Sequence, residues 1–255
     1  MKIKICGITN LEDAKNAIKL GADYLGFIVD FPKSPRSVSM EKFIQLASAI
    51  KKCQSSIRPD EHPHQNDLVG LAFGRVVNPP GRTSVRTGRQ SSISIVAVTV
   101  DMAEDKLREL LAENLIDVLQ FHGHETPEFC DQFRNKVEVW RSFKIQTTDD
   151  RRQTIEILEK FKGKIDRSLL DAASAEDKAN NRNNQFKDFK LFKDLQARGY
   201  PLVLAGGINP DNVELYINKL NPEIIDVASG IEERPGKKSP EKMKKFMEKI
   251  KHTTL

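Results

Sequence analysis

The stretch from residue 2 to residue 29, KIKICGITNLEDAKNAIKLGADYLGFIV, decides the fold. It opens on a short apolar run, Lys2 to Cys6, and closes on another, Asp23 to Val29. Between them residues 11 to 20 are amphipathic with helical period, and Asn10 stands where a side-chain oxygen accepts an orphan amide hydrogen at a helix start. Strand, helix and strand in this order form the unit from which parallel sheets are built.

The same rhythm continues down the chain. Further strand-like runs lie at Ile93 to Val100, Asp117 to Gln120, Val137 to Phe143, Asp166 to Leu170, Pro201 to Leu204 and Ile224 to Val227. Helical stretches follow at about 40–51, 103–113, 126–134, 149–161, 188–198, 210–219 and 239–250. Ser39 and Ser239 supply single caps, and Asn209 before Pro210 marks a helix start, because proline loses nothing at the first helical position. Eight such units in 255 residues predict an α/β protein: one domain, 1–255, folded as a (β/α)8 TIM barrel.

Two segments break the rhythm. Residues 54–92, rich in Arg, Ser, Pro and Gly, read as a flexible surface insertion between the second helix and the third strand. The polar segment 172–187 follows the sixth strand.

Composition narrows the function classes. The chain is 38% hydrophobic and 30% charged, which fits a soluble protein with extra polar surface, and no run approaches the length of a membrane span. The N-terminal MKIKICGITN has no signal-peptide core, so a cytoplasmic location is expected. Cys6, Cys53 and Cys130 are odd in number and widely spaced, which argues for reduced thiols over disulfides or CxxC metal chemistry. The net charge of +5 suits anionic metabolites as well as nucleic acid. The arginines of 54–92 lack the interleaved aromatics of a nucleic-acid surface, and none is expected to bind there. The lysines from Lys237 onward read as a solvated helix face.

In a barrel the active site forms from the C-terminal ends of the strands, where Cys6, Arg36, Asp171, Gly206, Gly207, Ser229 and Gly230 all fall. Each has an ordinary explanation alone: a strand-end Cys is usually a small buried hydrophobe, an Asp caps a turn, and a Gly pair serves a tight bend. Their recurrence at one face of the barrel points to a site. His122 and His124 flank Gly123, but no third ligand has zinc spacing, so no metal is expected.

Several motifs carry a resemblance: KICGITNLEDA at 4–14, GADYLGFI at 21–28, PKSPRSVS at 32–39, LQFHGHE at 119–125, SLLDA at 168–172, LAGGINPDNV at 204–213 and IDVASGIEERPGKK at 225–238. Through them the chain resembles the phosphoribosylanthranilate isomerases of tryptophan biosynthesis over nearly its whole length, excepting 54–92 and about 173–187. The resemblance implies Cys6 as general base, Asp171 as general acid and Arg36 as the group that orients the substrate, its planar fork suited to a carboxylate. Asp226 matches a family position near the substrate, although an inward polar core residue explains it equally well; Gln120 and His122 are expected to line the pocket, with Gly206-Gly207 and Ser229-Gly230 presenting amides to the phosphate.

The implied reaction gives these residue types a reason. Opening the ribosylamine ring needs an acid on the ring oxygen, and the iminium that forms acidifies the C2 proton, which a base removes. An Asp that keeps its proton near neutral pH needs a rise of about 3 units, roughly 4 kcal/mol of environmental work. Cys6 needs a smaller downward shift, which a cation such as Arg36 or Lys4 supplies if near. Only protons move, so no cofactor is implied, and the expected partner is a small phosphorylated substrate bound by a monomer or homodimer.

The family's glycine-rich loop after the sixth strand is missing, since no glycine lies between Gly163 and Gly199. Arg182 is a candidate phosphate contact in its place. The alternative reading is therefore a non-catalytic phosphate-binding barrel that lost turnover with that loop.

Overall fold

The computed structural model describes residues 1–56, 92–145, 151–171 and 188–253, with side chains through 53 in the first segment. Eight parallel strands close into a ring in the order β1 (Lys2–Cys6), β9 (Ile224–Val227), β8 (Leu202–Ala205), β7 (Arg167–Asp171), β6 (Glu138–Lys144), β5 (Val118–Phe121), β4 (Ser94–Thr99) and β2 (Tyr24–Val29). Pairing of β1 with both β2 and β9 makes the closure, and the expected (β/α)8 barrel is the fold. The short β3 (Ser37–Val38) pairs with Ile28 and Val29, at the C-terminal end of β2, beyond the last β1 register pair, Cys6 with Gly26. The helices are α1 (Leu11–Leu20), α2 (Met40–Ser56), α3 (Glu104–Ala112), α4 (Pro127–Asp131), α5 (Arg151–Phe161), α6 (Phe189–Ala197), α7 (Val213–Leu220) and α8 (Pro240–Thr253). The 54–92 insertion and the 172–187 segment with Arg182 lie largely outside the described residues.

Side-chain alternation along each strand sorts the apolar residues into two cores. One lies between strands and helices and includes Ile3, Ile5, Leu25, Phe27, Leu119, Leu170 and Ile225. The other, holding Cys6, Tyr24, Val96, Val98, Val118, Trp140, Leu169, Val203 and Ala205, fills the ring itself. Near the start of the strands the rings of Tyr24 and Trp140 meet edge to face, 5.1 Å between centroids. Trp140 Nε1 donates to Glu138 at 2.8 Å, and Arg167 bridges Glu138 at 3.2 Å and Glu223 at 2.6 Å. Aromatic bulk and ion pairs thus fill this end of the barrel, and the polar inward residues gather at the other.

Local chemistry follows the sequence closely, with a few differences. Asn10, Ser39 and Ser239 cap as expected, accepting the amides of Asp13 (2.9 Å), Lys42 (3.2 Å) and Lys242 (3.2 Å). Gly21 ends α1 in the left-handed conformation, φ 99°, which glycine adopts without steric penalty. Three aspartates read as the first residues of strands stand one position earlier. Asp23, Asp117 and Asp166 each accept a backbone amide of the preceding barrel strand, from Ile3, Ile95 and Val139, all at 2.8 Å. The Asn209-Pro210 start comes a turn too early: Asn212 accepts the Asn209 amide at 2.8 Å and donates to Gly207 O at 2.9 Å, so 210–212 form a turn and α7 begins at Val213. Helix α4 is shorter than the expected 126–134, because the amides of Phe133 and Lys136 bond three residues back and the chain passes into turns.

Candidate active site

Cys6 ends β1 and points into the ring, 7% exposed. Two residues earlier on the same face of the strand, Lys4 is wholly buried, and its Nζ lies 3.0 Å from Oδ1 of Asp226, its register partner on β9. The neighbouring strand makes room for both. A Cβ at Gly26 of β2 would stand 2.8 Å from Cys6 Sγ and 3.0 Å from Lys4 Nζ, so thiol and ammonium share one bare patch of backbone.

The charges in this group are coupled. Burial opposes the Lys4 ammonium, but Asp226 and Cys6 outweigh it and hold Lys4 above the usual lysine range. Burial pushes the Cys6 thiol up, Lys4 pulls it down, and the net direction is up. The expected downward shift of Cys6 is therefore corrected: Lys4 and Lys238 do not offset full enclosure. Burial likewise raises Asp226, with Lys4 opposing and the carboxylate of Asp171 adding to it.

Asp171 ends β7 and, like His122 just beyond β5, lies close enough to Asp226 for its charge to be felt there. Gln120 is 1% exposed on the inward face of β5, its Nε2 3.0 Å from Ser142 Oγ. Its Oε1 is buried without a hydrogen bond among the described residues. His124 parts from His122: its side chain is 94% exposed and its Nδ1 lies 3.0 Å from Asp101.

Arg36 reaches the mouth from the loop before β3, its stem lying over Gly7, where a Cβ would come within 2.8 Å of Arg36 Cδ. Its fork does not stand open. Nε and Nη2 bond Glu232 at 2.8 and 2.7 Å, and Glu232 also takes Lys238 Nζ at 2.9 Å. Although burial opposes the charge, hydrogen bonds from Arg36 and the Lys238 ammonium hold Glu232 below the usual carboxylate range. In this pair Glu232 is buried, only 4% exposed, and Arg36 is partly exposed. Nη1 of Arg36 carries no bond among the described residues.

The glycines after β8 and β9 come together. Gly206 and Gly207 turn at φ 95° and 65°, a conformation that favours glycine. Gly230, in the 3-10 turn Ser229–Ile231, packs on the other loop so closely that a Cβ would fall 1.9 Å from Ile208 O.

Glu232 was missed in the sequence, Lys4 was weighed only as a nearby cation, and Lys238, expected on a solvated helix face, is instead 0% exposed in a short strand because Glu232 and the Ala228 carbonyl hold its ammonium. Glycine interrupting YLGFIV at Gly26 was a readable signal, since glycine inside a strand marks close approach. Glu232, inside the charged run EERPGKK, offered none.

Fold and mouth together define a (β/α)8-barrel enzyme with ionisable groups and glycine turns gathered at the C-terminal ends of its strands. A model of the N-(5'-phosphoribosyl)anthranilate isomerase family matches residues 75–249. The N-(5'-phosphoribosyl)anthranilate isomerase of Citrifermentans bemidjiense is 31% identical over 254 residues, covering 100% of this chain and 98% of the relative. The phosphoribosyl anthranilate isomerase structure from Thermotoga maritima aligns over 99% of each chain with TM-score 0.71 and 27% identity. A structure of such an isomerase in complex with reduced 1-(o-carboxyphenylamino)-1-deoxyribulose 5-phosphate aligns over 99% of each chain with TM-score 0.69 and 26% identity. The chain belongs to the N-(5'-phosphoribosyl)anthranilate isomerase family.

Proposed function

We infer that the chain converts N-(5'-phosphoribosyl)anthranilate to 1-(2-carboxyphenylamino)-1-deoxyribulose 5-phosphate, an Amadori rearrangement in cytoplasmic tryptophan biosynthesis. Asp171 protonates the furanose oxygen as the C1–O bond breaks, leaving an iminium between C1 and the anthranilate nitrogen. Cys6, as thiolate, takes the C2 proton, and the enolamine tautomerises to the ketose. The observation that carries this reading is the meeting, at one mouth, of the strand-end thiol of Cys6 with the strand-end carboxyl of Asp171.

Arg36 orients the anthranilate carboxylate through Nη1, its other edge being held by Glu232. Gln120, with an amide oxygen available, and His122 line the pocket beside Asp226. The amides of Gly206, Gly207, Ser229 and Gly230 receive the phosphate. The non-catalytic alternative is disfavoured, because a barrel released from turnover has no use for a buried cation beside Cys6.

The test is the fluorescence decay of freshly generated phosphoribosylanthranilate on adding protein, beside Cys6→Ala and Asp171→Asn. Rapid decay that both substitutions abolish is expected. Decay no faster than spontaneous breakdown, with folded protein, defeats the enzyme reading.

A further inference from the structure

A lysine on the inner face of a barrel strand is an expensive residue. Burying its ammonium is opposed by desolvation, and as a purely structural device an ion pair there is no better than apolar packing of the same volume. Lys4 is nevertheless 0% exposed, salt-bridged to Asp226 at 3.0 Å, and set with Cys6 Sγ over the single bare position of Gly26. Asp226 fixes the ammonium, Gly26 removes the side chain that would separate it from sulfur, and the last two inward positions of β1 stack lysine under cysteine.

We propose that Lys4 is a positioning residue of the reaction: its ammonium, held by Asp226, stabilises the thiolate of Cys6 that accepts the C2 proton. This rests on Cys6 being the base. The other charges facing the sulfur are Asp226 from β9, which opposes the thiolate, Lys238 from β11 (Lys237–Lys238), which favours it, and Arg36 from the loop before β3. Asp171 and His122 act at one remove, through Asp226. Lys4 is the cation set beside the sulfur over Gly26, and it shares a strand with the sulfur it serves. No proton need leave Lys4: the thiolate becomes a thiol when it takes the C2 proton, and Lys4 stays an ammonium throughout.

The experiment titrates Cys6 directly. Thiolate ultraviolet absorbance is followed against pH as the difference between each protein and the same protein carrying Cys6→Ser, so that Cys53 and Cys130 cancel. In Lys4→Met the Cys6 midpoint is expected to rise by about one to three pH units, the usual effect of losing an opposite charge at this range. The low-pH limb of kcat/KM should move with it, lowering neutral-pH activity about ten- to a thousandfold and restoring part of it at alkaline pH.

Lys4→Gln, whose amide can still donate to Asp226, is the second neutral variant should Lys4→Met not fold, and it should show the same shift. Lys4→Arg, which keeps the charge, should leave the midpoint close to that of the parent. A midpoint unmoved in the folded neutral variants overturns the proposal, even if activity falls. Turnover retained by Cys6→Ser would instead overturn Cys6 as the base, whatever the thiol titration shows, so the two failures are distinguishable.

Discussion

At the scale of single residues, the mouth is organised by groups that hold other groups. Glu232 is the clearest case: it binds Arg36 along two nitrogens and Lys238 by a third bond, while Gly236 N approaches it at 3.4 Å. Removing its charge leaves the buried Lys238 ammonium and the partly buried Arg36 guanidinium facing a neutral amide. Glu232→Gln is expected to raise KM about tenfold with a smaller change in kcat, because Arg36 loses its aim while the proposed acid and base, Asp171 and Cys6, stay in place. It should also lower stability toward the lower end of the about 3 to 5 kcal/mol typical of breaking a buried pair. Steady-state kinetics and urea unfolding check both, and an unchanged KM would remove Glu232 from the account. Such residues are hard to read in a sequence. Cys6 and Asp171 could be placed at the ends of barrel strands because strand ends are legible there. Glu232 lies in EERPGKK, where one charged residue looks like the next and only the tertiary fold brings it under Arg36, 196 residues away.

At the scale of elements, the loops after β8 and β9 form one construction. Gly230 touches the backbone of Ile208 and Asn209, and Asn212 ties the turn back to Gly207 O. A methyl at 230 cannot be accommodated without parting the loops. Gly230→Ala is therefore expected to raise KM by weakening phosphate binding, and to cost about 1 to 3 kcal/mol as overpacking does. Inorganic phosphate as a competitive inhibitor should weaken in parallel; an unchanged inhibition constant would place the phosphate elsewhere. Most elements were legible because short apolar runs and helical periods alternate without ambiguity. What sequence alone misplaced were edges. The start of α7 was drawn at Pro210 because proline suits a first helical position, whereas the side chain of Asn212, bonded on both sides of the turn, delays it. Asp23, Asp117 and Asp166 looked like strand residues because each precedes apolar ones, while their carboxylates are committed to the preceding strand.

For the whole molecule, the thiols set a pH limit on stability. Burial pushes Cys130 up to about 12 from 9.0 and raises Cys6 as well. Above pH 9 the unfolded chain releases thiol protons that the folded chain keeps, so the unfolded state binds fewer protons and stability falls as pH rises. Lys4 works in the same direction, since its contribution is present below the ordinary lysine value and is lost as pH climbs through its raised folded value. Each fully retained proton amounts to about 1.4 kcal/mol per pH unit. Urea midpoints measured from about pH 8 to about pH 11 should decline, and Cys130→Ala, though less stable at neutral pH, should decline less steeply. Parallel slopes for the two proteins would show that Cys130 plays no part.

The ring closes where β1 meets β9, and the contacts across that seam span most of the chain: Lys4 to Asp226, Asp13 to Lys238, Lys237 to Glu12. The carboxylate that holds the ammonium beside Cys6 stands 220 residues further along the chain. The surroundings of that thiol are therefore complete only when β9 is docked on β1. A chain in which that seam stays open holds Lys4 and Cys6 without the carboxylate that fixes the ammonium.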